Sequence, residues 1–159
     1  MAIPGELYLD HPVRPVAAGD VVVAEGERSG TLFVVGSGEF EVTREGSTIA
    51  RITDPGSVIG EGSVLLDTPH GATVTAATEG TVHVVSDVDA FLAGDASLEV
   101  ARMLAARLNR LVAYIADVKT QYGGAGGHLG MLDEILSELT FGASPAAEPG
   151  SEREPDPYY

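Results

Sequence analysis

The sequence predicts a mainly β domain, a sandwich or barrel of short strands, followed by C-terminal helices. Two observations carry this. Between Val16 and Val85, runs rich in Val, Ile, Thr and Phe are punctuated by turn residues, with Gly at 26, 30, 36, 38 and 46, the spacing of an all-β domain. From Ser97 to Tyr122 the chain then runs without a single Gly or Pro, as a long helix requires.

Glu39-Phe40-Glu41-Val42 alternates polar and apolar residues, as a strand with one wet face does. Arg44-Glu45-Gly46-Ser47 predicts a hairpin turn, and Asp54-Pro55-Gly56 a stronger turn signal. Strands resume at 72–77 and 81–86. His83, between Val82 and Val84, is expected to face solvent by alternation.

A short helix is expected over 87–92, and the long one over 97–122. Apolar residues at Ala101, Leu104, Leu108, Leu111, Ile115, Val118 and Tyr122 step by 3, 4, 3, 4, 3 and 4, a heptad seam. Such a stripe either packs on the β domain, as amphipathic helices do, or self-associates. The narrow 3–4 spacing favours self-association, so Leu104, Leu108, Leu111, Ile115 and Val118 are the expected interface of a parallel homodimer.

Gly123-Gly124-Ala125-Gly126-Gly127 predicts a hinge. A short amphipathic helix follows, with Leu129, Leu132, Ile135, Leu136 and Leu139 on one side. It either folds back or offers the 129–139 face to a protein partner. The Pro-rich acidic stretch 142–159 is expected to be disordered. The expected divisions are therefore 1–96 for the β domain, 97–122 for the long helix, 123–141 for hinge and short helix, and 142–159 for the tail.

At 159 residues with a formal charge of −15, the chain lacks the cationic footprint of a nucleic-acid or anionic-membrane binder. It contains no Cys, which excludes disulfides, thiolate metal sites and thiol catalysis. The N-terminus does not read as a secretory signal, and no apolar run has the length of a membrane span. A cytoplasmic protein is expected. His11, His70, His83 and His128 do not fall at metal-ligand spacing, and no catalytic constellation is found, so no metal, cofactor or enzymatic activity is expected.

The most informative stretch is Gly60–Val74, GEGSVLLDTPHGATV. It reads as a loop that enters a turn or two of helix and returns to a strand. Backbone N–H groups at such a helix start lack intrahelical partners and suit an anion. Gly60 and Gly62 permit close approach, and the Glu61 carboxylate accepts hydrogen bonds from hydroxyls such as those of a sugar.

This stretch resembles the phosphate-binding segment of the cyclic nucleotide-binding domains, found in protein kinase A regulatory subunits and the bacterial catabolite activator family. In those a Gly-Glu pair opens the segment, an Arg lies nine residues after the Glu in the members that match best, and an Ala begins the next strand. Here Glu61 and His70 are nine apart, and Ala72-Thr73-Val74 follows. Upstream, Ala18-Gly19-Asp20-Val21-Val22, Glu25-Gly26-Glu27 and Leu32–Gly38 resemble the family's opening strand, turn and apolar strand. The resemblance covers about residues 16–120. It implies an eight-stranded antiparallel, jelly-roll-like β-roll followed by a long helix, and a ligand site at Gly60, Glu61, Gly62, Ser63, His70, Gly71 and Ala72. Gly60, Gly62 and Ser63 would offer N–H groups to the cyclic phosphate, and Glu61 would accept from the ribose 2′-hydroxyl. Gly71 stands where the family often has Ser, Thr or Ala.

His70 occupies the phosphate-arginine position. Histidine lacks the planar fork of Arg and is mostly neutral at pH 7. No Lys or Arg lies between Arg51 and Arg102, so a substitute cation must come from Arg28, Arg44, Arg51 or the helix. Losing a charge-assisted contact costs about 1.5–3 kcal/mol, or ten- to a hundredfold in affinity. Binding of cAMP or cGMP is expected to be weak, or tuned to acidic pH.

Transcription factors of the catabolite activator type need a helix-turn-helix after the long helix, and the remaining acidic chain does not suit one. Two readings follow. In one the chain is a non-enzymatic, stand-alone cyclic nucleotide sensor that signals through its C-terminal helices. In the other it is a degenerate member of the fold that binds no nucleotide and acts as a constitutive interaction or assembly module.

Overall fold

The computed structural model describes residues 2–122, with side chains through residue 118. The expected hinge, second helix and tail (123–159) lie outside the described residues. The strands are β1 (Val13–Val16), β2 (Val21–Val23), β3 (Leu32–Ser37), β4 (Phe40–Arg44), β5 (Ser47–Ile52), β6 (Val58–Ile59), β7 (Thr73–Ala76) and β8 (Gly80–Val85). Helix α1 (Glu61–Leu66) interrupts the β6–β7 connection, and α2 (Val88–Leu92) and α3 (Ala96–Tyr122) follow the last strand. A 3-10 turn at Gly5–Leu7 precedes β1.

Two four-stranded sheets form, in the orders β1-β8-β3-β6 and β2-β7-β4-β5, and each recorded strand pair is antiparallel. This is the antiparallel β-roll expected from the sequence. The Arg44–Ser47 turn joins β4 to β5 as anticipated. Glu45 and Gly46 both have positive φ, 50° and 77°, the geometry that matches the twist of a two-residue hairpin. Pro15 is tolerated because β1 is an edge strand.

Alternation along β3 explains the layering. Phe33 and Val35 join Val22, Phe40, Val74 and Val82 in a core drawn from both sheets. Leu32 and Val34 point the other way, into a second core with Val58, Val85, Phe91, Val100 and Met103. The first sheet is thus a middle layer, covered on both faces, and β3 is apolar at four successive positions for that reason. α2 is capped by Asp87, whose Oδ1 accepts from Ala90 N at 3.0 Å. Val100 and Met103 anchor the first turns of α3 to the roll, each contributing roughly 1.5–3 kcal/mol by burial.

His83 departs from expectation. It is buried at 6% exposure, with Nδ1 3.2 Å from the His11 carbonyl oxygen and its ring edge-on to Tyr8 at 5.0 Å. The reason is the layering: the N-terminal segment covers the face of β8 that alternation leaves wet in a two-layer sandwich.

Candidate functional site

Strand β6 delivers the chain to Gly60, which caps α1 with φ 91° and ψ 2°, a conformation costly for any residue with a Cβ. A Cβ there would lie 3.1 Å from the Thr31 carbonyl oxygen and 3.3 Å from His70 Cε1. Glu61, Gly62 and Ser63 form the first turn of α1, where N–H groups precede the first intrahelical bonds; Val64 N donates to Gly60 O at 3.2 Å. Asp67, with φ 50°, ends the helix.

The return to β7 is braced from within. Ser63 Oγ donates to the Thr68 carbonyl at 2.6 Å, and Thr68 N donates to the Ser63 carbonyl at 3.0 Å. The Ser63 side chain is therefore buried in the segment's own structure.

The β2–β3 loop is stitched onto the end of the segment. His70 N donates to Glu27 O at 2.8 Å, and Gly26 N donates to His70 O at 2.8 Å. Ser29 Oγ and His70 Nε2 share a hydrogen bond at 2.9 Å. One step further on, Glu25 N donates to Thr73 Oγ1 at 2.9 Å. Arg28 reaches across the same junction, with Nη1 donating to Asp67 O at 2.6 Å and to Asp67 Oδ1 at 2.9 Å.

His70 is only 5% exposed. Burial pushes its pKa below the ordinary histidine value, against a smaller upward pull from the Glu27 and Glu61 carboxylates. The imidazole is accordingly neutral at pH 7. Of the expected site residues, Gly60 and His70 come together at the head of α1, with Glu61 half-buried beside them. Gly62 and Gly71 are exposed, and Ala72 is half-buried at the entry to β7. Sequence reasoning missed Ser29 and Asp67. The signal for Ser29 lay in the Gly26-Glu27 turn, which resembles the family's own and fixes where the next residues fall.

Of the candidate substitute cations, Arg28 touches the segment. Arg51 pairs instead with Glu41 at 3.9 Å, on the β4–β5 hairpin. A cavity of about 590 Å3 elsewhere on the roll is lined by Asp20, Glu79, Ser37 and Thr81 among others, and shares no residue with this segment. Among the described residues, no group of three or more His, Cys, Asp or Glu could hold a metal, and no helix is long and apolar enough to cross a membrane.

Two antiparallel sheets with a helical turn inserted between β6 and β7, and a helix after the last strand, make up an antiparallel β-roll with C-terminal helices. The family model of the cyclic nucleotide-binding domain matches residues 13–93, just over half of the 159 residues. The chain belongs to the cyclic nucleotide-binding domain family.

It is 33% identical over 118 residues to the acetyltransferase Pat of Mycolicibacterium smegmatis, covering 69% of this chain and 34% of that protein. It is 42% identical over 62 residues to the cGMP-dependent protein kinase egl-4 of Caenorhabditis briggsae, covering 39% of this chain and 8% of the kinase. The chain thus spans 34% and 8% of the length of these two curated relatives. Among solved structures, the catabolite activator protein of Thermus thermophilus aligns with TM-score 0.53 and 25% identity, over 72% of this chain and 55% of that one. The N-terminal domain of a transcriptional regulator from Streptomyces coelicolor A3(2) aligns with TM-score 0.51 and 27% identity, over 67% of this chain and 82% of that one. The chain is therefore homologous to regulatory modules of kinases and of catabolite activator-like regulators.

Proposed function

We propose that this chain is a non-enzymatic sensor module that binds a cyclic nucleotide weakly at the Gly60–Ala72 segment and signals through its C-terminal helices to a protein partner. The observation that carries this reading is the packing of the His70 ring against Gly60. It gathers the two ends of the family's phosphate segment at one place. There the first-turn N–H groups of α1 and the Glu61 carboxylate would meet the cyclic phosphate and the ribose 2′-hydroxyl. Binding would shift the equilibrium of α1 and α3 between two arrangements, and the partner would read that shift.

We propose a homodimer through α3 as the form in which the signal is passed. Leu108 and Leu111 of the heptad seam are 43% and 47% exposed, apolar area that supports pairing with a second copy. Leu104, at the seam's start, packs partly against the roll's own core, so the pairing surface is centred further along, at Leu108, Leu111, Ile115 and Val118.

Calorimetric titration with cAMP and cGMP at pH 6 and pH 7.5 tests the binding reading. A phosphate beside His70 favours the protonated ring, so affinity is expected to rise at the lower pH. Absence of heat at millimolar nucleotide under both conditions would overturn the proposal.

One observation favours a second reading. His70 is buried, neutral and already bonded to Ser29, with Glu27 and Glu61 adding negative charge nearby. A segment so arranged also suits a constitutive assembly module that has lost its nucleotide, and the same titration separates the two.

A further inference from the structure

The phosphate segment needs a cation, and the residue in the expected place does not supply one. His70 is 5% exposed and bonded through Nε2 to Ser29 Oγ. Both sequence neighbours of Arg28 touch His70: Glu27 through the main chain at 2.8 Å, Ser29 through its hydroxyl at 2.9 Å. Arg28 is therefore mounted beside position 70, on a loop whose path is fixed by those bonds. Its guanidinium lies on the C-terminal end of α1, holding the Asp67 carbonyl at 2.6 Å and carboxylate at 2.9 Å.

That partnership is between exposed groups, with the Asp67 side chain 98% and Arg28 56% exposed. Exposed ion pairs are worth little and exchange readily for a better anion. A carboxylate and a phosphodiester present the same thing to a guanidinium, paired oxygens of negative charge that accept its N–H groups. The Asp67 carboxylate holds the guanidinium that an anionic ligand group would have to win from it.

We propose that Arg28, from the β2–β3 loop, is the cation that grips the cyclic phosphate in this chain, and that Asp67 is its intramolecular competitor. The inference rests on the cyclic nucleotide reading above. It adds a binding residue outside the Gly60–Ala72 segment and a residue within it that opposes binding.

The test is calorimetric titration of cAMP and cGMP into the full chain and its Arg28→Gln, Arg28→Lys, Asp67→Asn and Arg28→Gln/Asp67→Asn variants at pH 7.5. Circular dichroism melts would confirm that each variant is folded. Arg28→Gln is expected to weaken binding about ten- to a hundredfold, with Arg28→Lys in between. Asp67→Asn is expected to tighten it by up to about fivefold, and the double variant to bind like Arg28→Gln alone. The opposite signs matter: if the pair merely held the loop in place, both single variants would weaken binding. Wild-type binding that Arg28→Gln leaves unchanged, or that Asp67→Asn weakens, overturns this inference while the nucleotide reading stands. No binding by any form, Asp67→Asn included, overturns that reading and the inference with it.

Discussion

His70 Nε2 lies 2.9 Å from Ser29 Oγ, which ties the position that the family resemblance assigns to a phosphate contact to a loop some forty residues earlier in the chain. Thr31 N also approaches Ser29 Oγ, at 3.3 Å, so the hydroxyl joins a local turn to a buried ring. Removing it leaves an imidazole nitrogen buried without that partner. Ser29→Ala is expected to lower stability by about 1–3 kcal/mol, seen as a reduced urea midpoint at unchanged m-value. An unchanged midpoint would mean that the ring finds water or another partner at no cost.

The pH dependence of stability follows from the same ring. Burial depresses the His70 pKa in the folded chain, while the unfolded chain titrates near 6.5. Below that value the unfolded state takes up a proton that the folded state resists, so this contribution is full above about pH 7 and is lost as pH falls through 6.5 toward the folded pKa. Urea unfolding of wild type and His70→Gln at pH 7.5, 6.5 and 5.5 is expected to show a shallower decline in the variant. Equal slopes would place the titration elsewhere. A bound phosphate acts in the opposite sense, favouring the charged ring, so acidic pH would weaken the fold while strengthening the ligand.

Gly60→Ala tests the turn into α1. The residue has φ 91°, and a Cβ would press on the Thr31 carbonyl oxygen at 3.1 Å and on the His70 ring at 3.3 Å. A loss of about 1–3 kcal/mol is expected from the backbone conformation, together with chemical-shift changes at His70. A neutral substitution would show that the turn relaxes freely.

Leu111→Asp addresses the proposed dimer. Leu111 is 47% exposed and lies outside the roll's two cores, so the substitution should spare the fold. Sedimentation is expected to report a monomer where wild type is a dimer. A variant that stays dimeric would remove the heptad seam as the interface.

The fold was legible because its signals are local and repeated. Turn residues at Asp54-Pro55-Gly56 and Glu45-Gly46, and the Gly- and Pro-free run of α3, each state their structure within a few positions. The fate of His83 was not legible, since alternation says which face a residue takes but not whether a third layer covers it. The candidate site was half legible. Gly60, Glu61 and His70 are singled out by the resemblance to the family's phosphate segment, whereas Ser29 and Asp67 matter only because a distant loop is laid against the segment. Arg28 was one of several cations by sequence; its bond to Asp67 is a tertiary fact.

The two main-chain bonds between residue 70 and residues 26 and 27 bear on what a change at position 70 can do to this chain. A clasp built from backbone N–H and C=O groups is indifferent to the side chain it carries. The residue at 70 can be exchanged while the loop keeps its place. A substitution at 70 changes what the segment can recognise and leaves in place the main-chain seat that presents it.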